Sequence, residues 1–224
     1  MQETILVVKD ALPYILQGAL VTVGIVLGAM GIGLFLGVPV AVTQVYAPRG
    51  FRLLAGLYVW FFRGIPVLVL LFLFYFGLFS LIGLNISAFL AAVIVLGLRG
   101  VAYQSQIFRG AILALPQGQM KAARALGMSD IQAIQSIILP QALRLSIPGW
   151  SNEYSIVLKD SAIAFVLGTS EIMARTHFVA SRTYEHLGLY ITAGAIFFVL
   201  TTLGVRGLRA LESRVSLPGY TAQG

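Results

Sequence analysis

Residues 121–144 read "KAARALGMSDIQAIQSIILPQALR", one of the few polar stretches in a chain that otherwise reads as membrane. "PQGQMKAARAL", beginning at Pro116, is rich in helix formers, and Gly127 sits where a helix stops in left-handed geometry. Ser129 and Gln132 then have the spacing of a capping box, which opens a second short helix. Ile131, Ile134, Ile137 and Ile138 give that helix an apolar stripe, and Pro140 is expected to end it. The pattern predicts a helix, a glycine bend and a short amphipathic helix. One sticky face without ligand chemistry suits docking to another protein.

The rest of the chain defines the setting. Of its 224 residues, 58% are hydrophobic and 10% charged, with mean hydropathy +0.92. Soluble domains average about a quarter charged residues, so an all-α polytopic membrane protein is expected. At ~20 apolar residues per crossing, the length accommodates roughly five or six spans and no separate soluble domain. Residues 1–224 are thus read as one membrane domain with a polar loop at about 115–141. Five spans are expected: Tyr14 to Val42, Leu57 to Ile82, Ala88 to Phe108, Ala142 to Leu167 and Leu187 to Leu208. In the second, "FRLLAGLYVWFFRG" has the aromatic and basic composition of a membrane interface. The opening "MQETILVVKD" has no basic excess, and the following apolar run outlasts a secretory h-region. The first helix is therefore expected to stay.

Loop charge orients the chain. With the N-terminus outside, inner segments hold Arg49, Arg52, Arg109, Lys121, Arg124, Arg144, Arg206, Arg209 and Arg214. Outer segments then hold only Lys9, Arg175 and Arg182. The positive-inside bias selects an outside N-terminus and a cytoplasmic C-terminus, which puts the quoted loop in the cytoplasm. The net charge of +7 is explained in the same way, without nucleic acid as a partner.

Several chemistries lack their residues. There is no cysteine, no GxSxG and no HExxH, and His177 and His186 are nine apart and expected to be solvated. No GxxxxGK[ST] loop exists, and none of the three lysines follows a glycine, so this chain does not hold ATP in that manner. Gly24-x3-Gly28 and Gly33-x3-Gly37 are read as close helix packing in lipid. The fourth span is unusual, because Pro148, Asn152, Glu153, Lys159 and Asp160 interrupt its apolar frame. Glu153 and Asp160 are two turns apart and share a face, about 10.5 Å apart along the axis. Arg99 of the third span could face them. Ionisable groups in a bilayer are costly unless paired or facing water. Two readings stay open: a neutralised network of Arg99 and Lys159 against Glu153 and Asp160, or part of a polar solute path.

Four ordered motifs carry a family resemblance across nearly the whole chain. "AARALG", nine residues and "IILP" resemble the EAA loop of ABC-transporter permease subunits, with Lys121 where that pattern has Glu. Ala122, Ala123, Gly127, Ile137, Leu139 and Pro140 fit it. "FFRGIPVLVLLFLFYFG", "AYQSQIFRGAI" and "LKDSAIAFVLGTSEI" are similar to segments of the polar amino acid permeases of the histidine/glutamine/arginine type. The resemblance implies a type I transmembrane domain in the cell membrane with no cofactor of its own. ATP-Mg would bind a partner, the cytoplasmic ABC ATPase. A second permease subunit, identical or not, and an extracytoplasmic amino-acid-binding protein would complete an importer. It also implies that the loop from Lys121 to Pro140, including Ser129 and Asp130, is the coupling element for the ATPase. The substrate path would involve Arg99, Asn152, Glu153, Lys159 and Asp160. The rival readings are an ion-coupled carrier, which usually shows internal repeats, and a membrane enzyme, which needs a nucleophile or metal cluster.

Overall fold

The computed structural model describes residues 2–215, and these are helical almost throughout. α1 spans Gln2–Tyr46 and carries Pro13 and Pro39 inside it. Its 45 residues give a rod of roughly 67 Å, well beyond a ~30 Å hydrocarbon core. α2 (Arg49–Gly64) and α3 (Val67–Phe72, continued by a π-helical stretch Leu73–Phe79) follow. α4 spans Ala88–Ala114 and is capped by Ser87, whose hydroxyl accepts from the Leu90 amide. α5 (Gly118–Ala125) and α6 (Asp130–Ala133) form the polar loop. A π-turn, Ile134–Ile138, leads into α7, Leu139–Asp160, and a 3-10 turn, Ser161–Leu167, follows. α8 (Ile172–Thr183) and α9 (His186–Val215) complete the order.

α1 and α4 form the central pair, and small residues set its register. A side chain at Gly24 would meet Phe89; at Gly28, Val93; at Gly33, Gln104; at Gly37, Ser105 and Phe108. Both numbers rise together, so the two helices run parallel, and the two small-residue motifs do pack helices as expected. α7 runs against α4. Gly149 abuts Ile107, the Trp150 indole donates to Gln104 Oε1 at 2.6 Å, and Asp160 reaches Arg99. α9 begins beside α1, with Gly188 against Thr4 and Val8. Further along, Gly204 abuts Tyr154, whose hydroxyl donates to the Leu200 carbonyl at 3.1 Å.

Two spans differ in form from a single straight helix, and one expected helix end needs correction. The second span is not straight: the α2 axis and the Val67–Phe79 axis meet at 107° across the break at Ile65 and Pro66. Pro66 lacks an amide hydrogen and holds its predecessor extended, so the helix restarts there in a new direction. The fourth span is α-helical only to Asp160, then tightens into the 3-10 turn and ends on Gly168 with φ 91°. Pro140 does not end a helix. It occupies the first turn of α7, where its missing amide is tolerated, and the preceding π-turn absorbs the misfit. Among the described residues, α1, α4 and α9 are long and apolar enough to cross a membrane singly, and the bent pair passes jointly.

Candidate functional site

Two arrangements carry polar chemistry. The first lies between α4 and α7. Arg99 Nη1 and Asp160 Oδ2 are 2.8 Å apart, with side chains 12% and 22% exposed. The Arg99 guanidinium lies 4.5 Å from the Tyr103 ring centroid, and Arg63 at the end of α2 lies 5.0 Å from the same ring. Glu153 is buried at 3% exposure, and its Oε1 has no hydrogen-bond partner among the described residues. Arg99, Asp160 and Arg63 are all within its electrostatic reach. A buried carboxylate oxygen without a donor is costly, which makes Glu153 the least satisfied polar group of this cluster.

The expected five residues therefore divide. Arg99, Glu153 and Asp160 share one cluster, while Asn152 and Lys159 are exposed on other faces of α7. Asn152 lines a pocket with Pro148, Arg209 and Glu212. Lys159 borders an apolar cleft with Leu68, Phe165 and Phe197. Sequence reading missed Arg63 and Tyr103. Arg63 stands in the RGIP segment but outside any apolar frame that would flag it. Both also line an open cavity of about 530 Å³ with Gln44, Trp60, Gln106 and Arg109. Buried Gln104, which bridges α4 to Trp150, was equally silent in the sequence.

The second arrangement is the polar loop. Gly127 has φ 82°, the Met128 amide donates to the Ala123 carbonyl, and the Gly127 amide to that of Arg124. These two bonds form a Schellman stop for α5, closed by a left-handed residue. The capping box is complete: the Gln132 amide donates to Ser129 Oγ at 3.3 Å, and the Ser129 amide to Gln132 Oε1 at 2.9 Å. Arg124 clasps Asp130 across the bend with two bonds, at 2.7 and 3.0 Å. That pairing raises the Arg124 pKa and lowers that of Asp130, chiefly through the hydrogen bonds themselves.

The expected isoleucine face is not free. Ile134 and Ile138 are buried, and Ile138 packs with Phe108, Ile112 and Ala142 in the chain's own core. The exposed apolar residues of the loop are Leu126 at 83% and Ile131 at 67%, both beside the bend. Lys121 and Ala122 are exposed on α5, whereas Ala123 is buried. Ile137 and Leu139 are half-buried on the approach to α7 and Pro140 is exposed.

Comparison with known proteins accounts for this architecture. Residues 33–217 match the family described as "Binding-protein-dependent transport system inner membrane component". The arginine transport system permease protein ArtQ of Bacillus subtilis is 38% identical over 192 residues, covering 86% of this chain and 88% of that protein. The octopine transport system permease protein OccQ of Rhizobium meliloti is 35% identical, with 86% of each chain covered. A chain in a crystal structure of an amino acid ABC transporter with histidines superposes with TM-score 0.83 at 34% identity, covering 93% of this chain and 97% of that one. The chain belongs to the binding-protein-dependent transport system inner membrane components and, within them, to the amino-acid ABC transporter permeases.

Proposed function

We propose that this chain is the membrane subunit of an importer for polar amino acids, driven by ATP hydrolysis on a separate cytoplasmic ATPase. The family match over residues 33–217 carries the transport reading. The relatives named for arginine and octopine transport support the amino-acid class. The substrate path proposed for Arg99, Asn152, Glu153, Lys159 and Asp160 centres on Arg99, Glu153 and Asp160, the three that one cluster holds. A zwitterion offers that cluster an ammonium for Glu153 and a carboxylate for Arg99. ATP-Mg is held by the partner, and the chain itself carries no cofactor.

Helix direction supports a reading with five crossings. α1 and α4 are parallel, which favours a return across the membrane between them, and the bent α2–α3 pair is the candidate for it. α9 begins beside the start of α1 and runs the same way, so α7 and its 3-10 extension supply the second return. Loop charge then puts the N-terminus outside and the C-terminus in the cytoplasm. In that frame the segment from Lys121 to Pro140 faces the ATPase, and the outer ends of α1 and α8 face a binding protein that delivers substrate. A second permease subunit completes the path.

The test is uptake in proteoliposomes containing this chain, its ATPase and a second permease, with binding protein and ATP outside and inside as required. Uptake of a labelled polar amino acid that needs both ATP and binding protein supports the proposal. ATP-independent uptake that follows a proton gradient would establish the ion-coupled carrier instead.

A further inference from the structure

We infer that the ATPase surface docked by this chain presents a carboxylate side chain to Lys121, with an apolar side chain entering the groove beside it. The inference rests on the proposed coupling role of the loop and specifies the chemistry of its partner. Lys121 is exposed on α5, and no described acid lies within 4.0 Å of it. Arg124, one turn on, is already neutralised by its two bonds to Asp130. The other polar side chains of the loop, Gln117, Gln119, Ser129, Gln132, Gln135 and Ser136, are uncharged. Lys121 is therefore the one unneutralised charge between Pro116 and Pro140.

Its surroundings give that charge a direction. Lys121 and Arg124 line a groove of about 290 Å³ together with mostly apolar residues, Val45, Ile112, Met120 and Ile138 among them. No acidic residue lines it. A partner entering this groove loses water around the lysine, and an ammonium stripped of water needs an anionic acceptor. Leu126 and Ile131 add exposed apolar surface on the same loop. A mostly apolar surface that carries an unpaired cation fits a partner with the reverse charge. An acid at position 121 would demand a basic partner, so the lysine here selects for a differently charged ATPase.

The experiment uses the full chain in nanodiscs and its purified cognate ATPase, with affinity and substrate-stimulated hydrolysis as readouts. Lys121→Glu should weaken ATPase binding tenfold or more, and Lys121→Gln by less. Wild-type affinity should fall with added salt, and that dependence should be lost in Lys121→Gln and reversed in Lys121→Glu. An ATPase variant with lysine in place of the acid that cross-links to position 121 should restore binding to Lys121→Glu. Normal affinity and coupling in Lys121→Glu would overturn the inference, as would a defect confined to nanodiscs of anionic lipid, since the lysine would then be reading headgroups. Leu126→Asp separates this from the underlying reading. If it abolishes binding while Lys121→Glu does not, only the charge assignment fails. If neither matters, the loop does not dock the ATPase at all.

Discussion

Arg99 on α4 and Asp160 at the last turn of α7 are joined at 2.8 Å, and this contact pins the point where α7 gives way to the 3-10 turn. Removing one partner strands the other charge in a half-buried, helix-lined space. Asp160→Asn is expected to cost roughly 2–4 kcal/mol, somewhat below the range for fully buried pairs broken on one side because both groups retain some exposure. The double variant Arg99→Met, Asp160→Leu should recover part of that loss, since no charge is left unpaired. Thermal unfolding in detergent measures both. Strictly additive losses would show that the pair is not coupled.

Glu153 has a different expectation, because its Oε1 has no partner to lose. Glu153→Gln removes the charge but keeps the shape, so assembly should persist. Uptake of a cationic amino acid should weaken by about tenfold in KM, equivalent to ~1.4 kcal/mol, with a smaller effect on a neutral one. Equal transport of both by wild type and variant would remove Glu153 from the path. Loss of the complex would mark it as structural.

The acids and Arg99 were legible because charge inside an apolar frame has few explanations. Their division was not. One residue of helix rotation separates Lys159 from Asp160, and a sequence does not say which of two neighbours faces α4. The Gly127 stop and the Ser129–Gln132 box were fully legible, since both depend on backbone geometry within six residues. The end of the following helix was misread at Pro140, because proline in a first turn and proline as a terminator look alike until the π-turn before it is seen. The 107° bend at Pro66 was hidden for a similar reason: an apolar run reads as one span whatever its direction.

Topology makes the third prediction. With the N-terminus outside, a single cysteine at Lys9 or Arg182 should react with an impermeant maleimide on intact cells. One at Lys121 or Arg206 should react only after permeabilisation. Lys9 and Lys121 lie on opposite sides of the sum of charges that sets the orientation. Labelling at 121 but not at 9 in intact cells would invert the assignment.

The Arg124–Asp130 clasp should be insensitive to pH over the physiological range. The folded Asp130 pKa is depressed by its hydrogen bonds to Arg124, so the clasp's contribution is present above the ordinary carboxylate value of ~3.9 and is lost as pH falls through the lower folded value. A spin label at Met128 should keep constant mobility from pH 8 to 5 and loosen only in stronger acid. Asp130→Asn should be loose at every pH. Because both groups are more than half exposed, high salt should loosen the wild type as well. A mobility change centred near neutral pH would assign the switch to another group.

Gly127 supplies the sharpest test of the loop. Its φ of 82° suits glycine, and a Cβ placed there meets nothing within 4 Å, so a substitution is opposed by backbone strain and not by neighbours. Gly127→Val should cost the loop roughly 1–2 kcal/mol and redirect the chain after α5. That shift would mis-aim Leu126 and Ile131, the two exposed apolar residues at the bend, relative to Lys121. The membrane helices do not depend on this turn, so insertion and expression should be normal while transport falls and ATPase activity loses its response to substrate. Gly97→Val is the contrasting control, since a Cβ there would meet Ile32 Cβ at 2.8 Å in the α1–α4 contact. It should lower expression or thermal stability and leave any protein that does fold coupled. Gly127→Val with normal uptake and a tightly bound, substrate-responsive ATPase would dismiss the bend as the coupling element.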